Sequence, residues 1–494
     1  MSAVLEKIDK LPDGWRILAI EEIAEVNPRV NKSEISDGLA VSFVPMHAVE
    51  AESGAIDVSQ ERPFSEVKKG FTPFLEGDVL FAKITPCMEN GKMAVVPKVR
   101  NGYGFGSTEF HVLRSKEGIE SKYIYYFVSS RTFRGMAQHN MSGAVGQKRV
   151  PVNYLKQHLI PVAPPEQQKR IVAKIEELFS HIDAGIEALK KAKQLLKQYR
   201  QSVLKAAVTG ELTKEWREAN KEKFESANQL LKAIEKQRQD AYEEEIEKWN
   251  VLAKRWRKSG SKEKKPAKPK KPKIIEPLSD EEVGELHSLP NGWLWVKLSQ
   301  LATKITDGEH FKPQVEDDGV YFLSAKDVRD EGVSFENPLY ISEEIAEKAL
   351  LRCNPENGDI LIVSRGATVG RMCVVNTNEV FCLLGSVILI KVAEGINSEY
   401  LMNLMKSPDI NRKISNVSGA TAQQAIYLSD IQHIAIPLCS LEEQIEIGIA
   451  VNGKTDTILG LEKEINSKLV MAENNKQSVL ASAFTGRLLF EEAS

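Results

Sequence analysis

From about Lys10 to Val162, and again from Pro290 to Leu438, apolar residues come in short runs or in alternation, as in TEFHVLR from Thr108, broken by Gly, Pro and Asn. This pattern predicts strands joined by turns, with a few helices. After each stretch the period changes. Ile171, Ile175, Leu178, Ile182, Ile186, Leu189, Leu196, Tyr199, Val203 and Ala207 recur three or four apart, a heptad-type seam on one long helix. Pro165 suits its first turn and Gly210 its end. In the second stretch Ser440 and Glu443 predict a capping box, and Ile445, Ile449, Ile458, Leu461, Ile465, Val479 and Ala483 continue a second stripe that Gly448, Gly453 and Gly460 weaken. A helix of about 40 residues is about 60 Å long, and a stripe of that length has to be buried. The other helix is the economical partner; packing on its own domain is the alternative.

The recurrence of one pattern after another points to a tandem duplication. LPDGW from Leu11 returns as LPNGW from Leu289, GDVLFAK from Gly77 as GDILIVS from Gly358, and NGKMAVV from Asn90 as VGRMCVV from Val369. SKYIYYFVSS from Ser121 matches SEYLMNLMKS from Ser398, LIPVAPPEQQ from Leu159 matches AIPLCSLEEQ from Ala435, and QSVLKAAVTGEL from Gln201 matches QSVLASAFTGRL from Gln477. The order is the same in both copies. Between the copies, the segment from Lys214 to Ser288 has no counterpart. Its first part, from Glu225 to Trp256, is helical in composition, and RKSGSKEKKPAKPKKPKIIEP reads as a solvated Lys/Pro linker, with nonspecific contact to DNA phosphates the alternative.

Composition adds bounds rather than identity. A chain of 494 residues exceeds one ordinary core, and 42% hydrophobic with 27% charged residues is the balance of a soluble globular protein. No apolar run approaches a membrane span and no secretory signal opens the chain, so a cytoplasmic protein without membrane contact is expected. Five scattered cysteines without metal spacing suggest neither disulfides nor zinc. A net charge of −3 leaves DNA binding open, because local charge governs recognition.

The duplication also tests the chemical motifs. GYGFGST, Gly102 to Thr108, imitates a nucleotide turn but leads into a strand, and its counterpart keeps only Gly385 and Ser386; a tight turn is expected. NPLY, Asn337 to Tyr340, lacks the second proline of an adenine methyltransferase motif. Asp78 with Lys83 lacks the further carboxylate of a nuclease, and strand-end residues are expected there. GxxxxGK[ST], HExxH and GxSxG do not occur in the chain. MSGAVGQKRV, Met141 to Val150, resembles a phosphate loop, but VSGATAQQAI, Val417 to Ile426, drops its second glycine and both cations. Two similar domains without a catalytic constellation point to bipartite binding of a duplex with two half-sites. A tandem scaffold that binds protein is the alternative.

Taken together, the opening LPDGW and LPNGW, the junctions IPVAPPEQQKRIVAKIEELF and IPLCSLEEQ, and the closing QSVLKAAVTGELTKEW and QSVLASAFTGRL resemble the specificity subunit of type I restriction-modification systems over nearly the whole chain. The resemblance implies a mixed α/β (α+β) fold: target recognition domains at 10–163 and 289–439, long antiparallel coiled-coil-like helices at 164–213 and 440–494, and an insertion at 214–288. It implies a non-catalytic chain with no cofactor or metal of its own that reads double-stranded DNA, one half-site per domain. It further implies two modification subunits carrying S-adenosylmethionine chemistry, and restriction subunits using ATP and Mg. The long basic insertion departs from the family pattern.

Base edges call for Arg, Lys, Asn or Gln, and phosphates for Lys, Arg, Ser or Thr, on loops that adjoin strands. The candidates in the first domain are Lys83, Thr85, Asn90, Lys92, Ser107, Thr108, Ser142, Gln147, Lys148 and Arg149. Those in the second are Ser364, Arg365, Thr368, Arg371, Ser386, Ser418, Thr421, Gln423 and Gln424.

Overall fold

The computed structural model describes residues 11–144, 146–220, 226–259, 267–269, 271–272, 274–311, 313–416 and 425–489. It divides into two compact units, Met1–Ala192 with Glu464–Ser494, and Lys193–Lys463. Each unit therefore holds one copy of the strand-rich stretch, the first half of that copy's long helix, and the last part of the other copy's helix.

In unit one an antiparallel sheet runs in the order Ala24–Val26, Phe110–Ser115, Val79–Ala82, Met93–Val95. A second sheet orders Glu61–Pro63, Ala40–Val44, Gly104–Gly106, Thr72–Phe74, with the middle pair parallel. Unit two repeats the first sheet with Ala302–Asp307, Val387–Val392, Ile360–Val363 and Met372–Val374. Its second sheet has three strands, Leu339–Ile341, Val320–Leu323 and Phe381–Leu383. In each unit the opening strand pairs antiparallel with the one before the long helix, Arg16↔Val162 and Leu294↔Leu438.

The glycine run of unit one differs from the expected turn. Gly104–Gly106 is itself a strand, and the turn follows at Ser107. A Cβ on Gly104 would stand 2.0 Å from the Phe74 ring and one on Gly106 2.5 Å from the Val44 carbonyl, so close packing demands glycine there.

The long helices are Pro165–Val208 and Leu441–Phe484, each 44 residues. Pro165 opens the first, and Gly210, at φ 71°, follows its end. Within unit one the two helices run antiparallel: Lys476 pairs with Asp183 at 2.6 Å, while Leu480, Ala483 and Phe484 join the core that contains Ile171 and Ile175.

The repeated junction motif has a physical role. Gln168 donates to the Ala163 carbonyl at 2.8 Å and accepts from Glu120 N at 2.9 Å; Gln444 does the same with Cys439 (3.0 Å) and Asn397 (2.9 Å). One position earlier, Gln167 accepts from the Trp15 indole and Glu443 from the Trp293 indole, both at 2.8 Å. Glu443 also accepts from Thr213 and Arg217, at 2.8 and 2.7 Å. This corrects the expected capping box: Ser440 caps Glu443 N at 3.3 Å, but the carboxylate turns inward instead of back to the cap. It also corrects the second stripe. With Glu443 and Gln444 drawn into the core, the positions four and eight beyond Glu443, Ile447 and Val451, are buried, while Ile445, Ile449 and Leu461 are exposed. Tyr199 on the first helix is exposed as well.

The insertion contributes helices at Lys214–Ala219, Ala227–Ser259 and Asp280–Gly284. Ala227, Leu230 and Ile234 lie in the core of unit two.

Candidate nucleic-acid interface

In both units the same end of the four-stranded sheet carries the polar loops. In unit one the strand Val79–Ala82 ends at Lys83, whose N–H donates to Glu109 O at 2.9 Å and whose carbonyl accepts from Val150 N at 2.8 Å. Thr85 N donates to Lys148 O at 3.0 Å, so the loop after this strand is zipped to the loop from Ser142 to Arg149. That loop is closed by reciprocal bonds between Ser142 and Arg149, 3.0 and 2.8 Å. Gly143 and Gly146 have φ of 122° and 80°, and the segment is a hairpin rather than a phosphate loop opening a helix. Ser142 is exposed at its base, and Gln147 and Lys148 are exposed toward its tip.

Charge is concentrated beneath this tip. Arg149 grips the Glu109 carboxylate through Nε and Nη2 at 2.9 and 2.8 Å, and donates from Nη1 to Gln147 O at 3.1 Å. The bond from Arg149 holds the Glu109 pKa below its ordinary value. Burial pushes the Lys83 ammonium down, with Glu109 opposing. Behind them His111 meets Val150 O at 2.9 Å and Asn27 at 3.1 Å, and burial lowers its pKa as well.

The other candidates of unit one divide. Ser107 Oγ accepts from Glu109 N at 3.2 Å and shapes the turn on which Thr108 is exposed. Thr85 contacts Glu89 at 3.5 Å, and Asn90 is exposed one turn further on. Lys92 does not join the cluster: its ammonium donates to Met46 O and Val49 O at 3.2 and 2.9 Å and tethers that loop. Asp78 is a strand-end brace, bound by Arg114 through two 2.8 Å bonds; Asp359 meets Lys391 at 2.7 Å in the same way.

Unit two repeats the backbone and changes the chemistry. Ser364 N donates to Ser386 O at 2.8 Å and Ile426 N to Ser364 O at 2.9 Å, so Ser364 takes the place of Lys83 and Ser386 that of Glu109. The bridge Ile84↔Arg149 becomes Arg365↔Ala425. A charged trio is thus replaced by two serines and an alanine, with the Ser386 hydroxyl oxygen buried and unpartnered among the described residues. Arg365 is exposed; Thr368 and Arg371 close the next turn through Arg371 N to Thr368 O at 3.0 Å. Ser418, Thr421, Gln423 and Gln424 lie outside the described residues.

Further polar groups at this sheet end, outside the candidates named from sequence, come from the neighbouring strand. In unit one Asn27 follows the strand Ala24–Val26 and holds Val112 N at 3.0 Å, with the exposed Arg29 two positions on. In unit two the strand Ala302–Asp307 leads into Gly308, Glu309, His310 and Phe311. The polar run TDGEHF, which begins in the last two residues of the strand, was the available signal. Among the described residues no group of three His, Cys, Asp or Glu side chains is arranged to hold a metal, and no helix is long and apolar enough to cross a membrane.

Residues 12–197 and 290–470 match the family described as type I restriction modification DNA specificity domain. The chain is 31% identical to the type I restriction enzyme EcoAI specificity subunit of Escherichia coli, over 60% of this chain and 52% of that protein. It is 29% identical to the EcoEI specificity subunit, over 61% of this chain and 53% of that one, so the chain spans about half the length of these relatives. With the EcoKI specificity subunit of strain K12 it shares 24% identity over 97% of this chain and 90% of the relative. In fold it is similar to a chain from a solved type I R-M system, with TM-score 0.67, 21% identity, and 97% and 100% of the two chains covered. It is also similar to the HsdS subunit from Thermoanaerobacter tengcongensis, with TM-score 0.57, 20% identity, and 97% and 98% covered.

Proposed function

The chain belongs to the type I restriction modification DNA specificity family, and from that premise we propose that it reads a split duplex site, one half by each unit, and directs adenine methylation or cleavage by partner subunits. The observation that carries this reading is the repeated strand-end scaffold with exchanged side chains: one backbone pattern places Lys83, Glu109 and Arg149 beneath the exposed Lys148 in unit one, and the buried Ser364 with Ser386 and Ala425 beside the exposed Arg365 in unit two. A shared scaffold with different donors and acceptors is what two different half-sites require, because phosphate contacts position a protein and base-edge contacts select the sequence.

Within the reading, Lys148 and Arg365 are exposed cations at the tips, while Arg149 is oriented by Glu109. The chain's part is selection. Two modification subunits bring S-adenosylmethionine, restriction subunits bring ATP and Mg, and the bonds made and broken belong to them.

Mapping methylated adenines in cells that carry the complete system tests the proposal. Exchange of residues 10–163 for the corresponding domain of a different specificity subunit changes one half-site and leaves the other intact. A map in which both halves change, or in which no split site exists, contradicts it. Insertion of whole turns near Lys190, matched on the second long helix, alters the gap between the halves; the first helix runs unbroken across the boundary between the units at Ala192.

A further inference from the structure

We propose that Arg352, oriented by Asp307 and His310, is a base-reading residue of unit two that takes the acceptor edge of a guanine; this rests on the DNA-reading function proposed above. The three residues come from two elements. Asp307 ends the strand Ala302–Asp307 and His310 follows it, whereas Arg352 is the last residue of the helix Glu343–Arg352. Arg352 Nη2 donates to Asp307 Oδ1 and to His310 Nε2, the latter at 2.9 Å, and His310 Nε2 stands 3.3 Å from Asp307 Oδ2.

The run that carries the cluster is pinned against the turn already described at Ser386. Glu309 N donates to Leu383 O at 2.8 Å and Gly385 N to Glu309 O at 2.7 Å, while Ser364 binds Ser386 from the other side. A Cβ on Gly308 would stand 2.0 Å from Leu383 O, and one on Gly385 2.9 Å from the His310 ring, so both glycines are needed for this approach. Arg352 therefore stands at the sheet end from which Arg365 projects.

Its chemistry is that of a reader rather than a brace. Asp307 is 13% exposed and neutralises one side of the guanidinium, while Arg352 is 43% exposed. Among the described residues Nε and Nη1, with three of the five N–H donors, have no partner. The free donors, one on Nε and two on Nη1, can each give a single bond to a base acceptor such as guanine O6 or N7, while Asp307 and His310 hold the guanidinium at Nη2. Phe311, 64% exposed next to His310, adds an apolar face at the same edge. Among the described residues unit one has no such cluster; its strand Ala24–Val26 is followed by Asn27, Pro28, Arg29.

The test is methylation mapping in cells carrying the complete system with Arg352→Ala, Arg352→Gln or Asp307→Asn. In both Arg352 variants one G·C position in the half-site of unit two relaxes, with modification of other bases there rising at least about tenfold, and the half-site of unit one stays intact. Asp307→Asn, which keeps the arginine but loosens its orientation, relaxes the same position less. An unchanged site in both Arg352 variants overturns the inference and leaves the split-site reading standing. Uniform loss of modification across all sites in both also overturns it, since that marks a phosphate or folding role. Failure of the DNA-reading proposal itself looks different: the unaltered chain then directs no split-site methylation at all.

Discussion

His158 packs against Phe127, Phe133 and Tyr154 with ring centroids at 5.9, 4.8 and 5.4 Å, and its Nε2 is buried without a hydrogen-bond partner among the described residues. Burial pushes its pKa from 6.5 to about 4, and His111 is shifted in the same direction. Above pH 6.5 the ring is neutral in both states and its contribution is complete. As the pH falls from 6.5 toward 4, the unfolded chain binds a proton that the folded one does not, and unit one loses stability. The duplication supplies the control. Ile20 N donates to His158 O at 3.0 Å and Leu298 N to Ile434 O at 2.8 Å, so Ile434 occupies the matching place in unit two. His158→Ile is expected to lower the urea midpoint of unit one less between pH 7 and pH 5 than the unaltered chain does; an equal drop would show that another group governs the acid limb.

The insertion helix Ala227–Ser259 is built into unit two at its first half. Leu230 reaches Gly395 closely enough that a Cβ there would lie 2.7 Å from Leu230 Cδ1. One turn beyond Ile234, Arg238 Nη2 donates to the carbonyls of Ser299, Gln300 and Ala302 at 2.9, 2.7 and 2.7 Å, meeting the acceptors left at the end of the helix Leu298–Leu301. Arg238→Ala leaves these carbonyls without their charged donor and is expected to cost about 1.5–3 kcal/mol in the denaturation of unit two. A change within about 0.5 kcal/mol would mean that water replaces the guanidinium. Composition revealed this element as a helix but not its place, because three small or branched residues and one arginine decide it. The same limit applies elsewhere. The repeated Trp and Gln/Glu positions were legible as a duplication, yet the inward turn of Glu443, and with it the buried line through Ile447 and Val451, depends on Thr213, Arg217 and Trp293 converging from distant positions. At the candidate interface, loops rich in Ser, Lys and Arg could be read from sequence. The pairing of Arg149 with Glu109, the diversion of Lys92 to carbonyls and the Arg352 cluster could not, since each joins elements separated along the chain.

Over the whole molecule, each unit is completed by the closing motif of the other copy. In unit one Phe484 stacks edge-on against Tyr123 and Phe127 at 5.1 and 5.2 Å, and Gly486 lies where a Cβ would meet the Pro12 ring at 2.2 Å. In unit two Gly210 stands in the same relation to Pro290, at 2.6 Å. Phe484→Ala empties a fully enclosed ring site and is expected to destabilise unit one by about 3–5 kcal/mol in urea denaturation. A loss below about 1 kcal/mol would mean that the helix end contributes little to that core.

This exchange of ends also sets an order of completion during synthesis. Unit two spans Lys193–Lys463 without interruption, whereas unit one needs Glu464–Phe484 to cover Tyr123 and Phe127. At about 5–20 residues per second, the first-made part of unit one waits tens of seconds with an open apolar face until its last helical strap emerges. The unit translated first is thus the last to close.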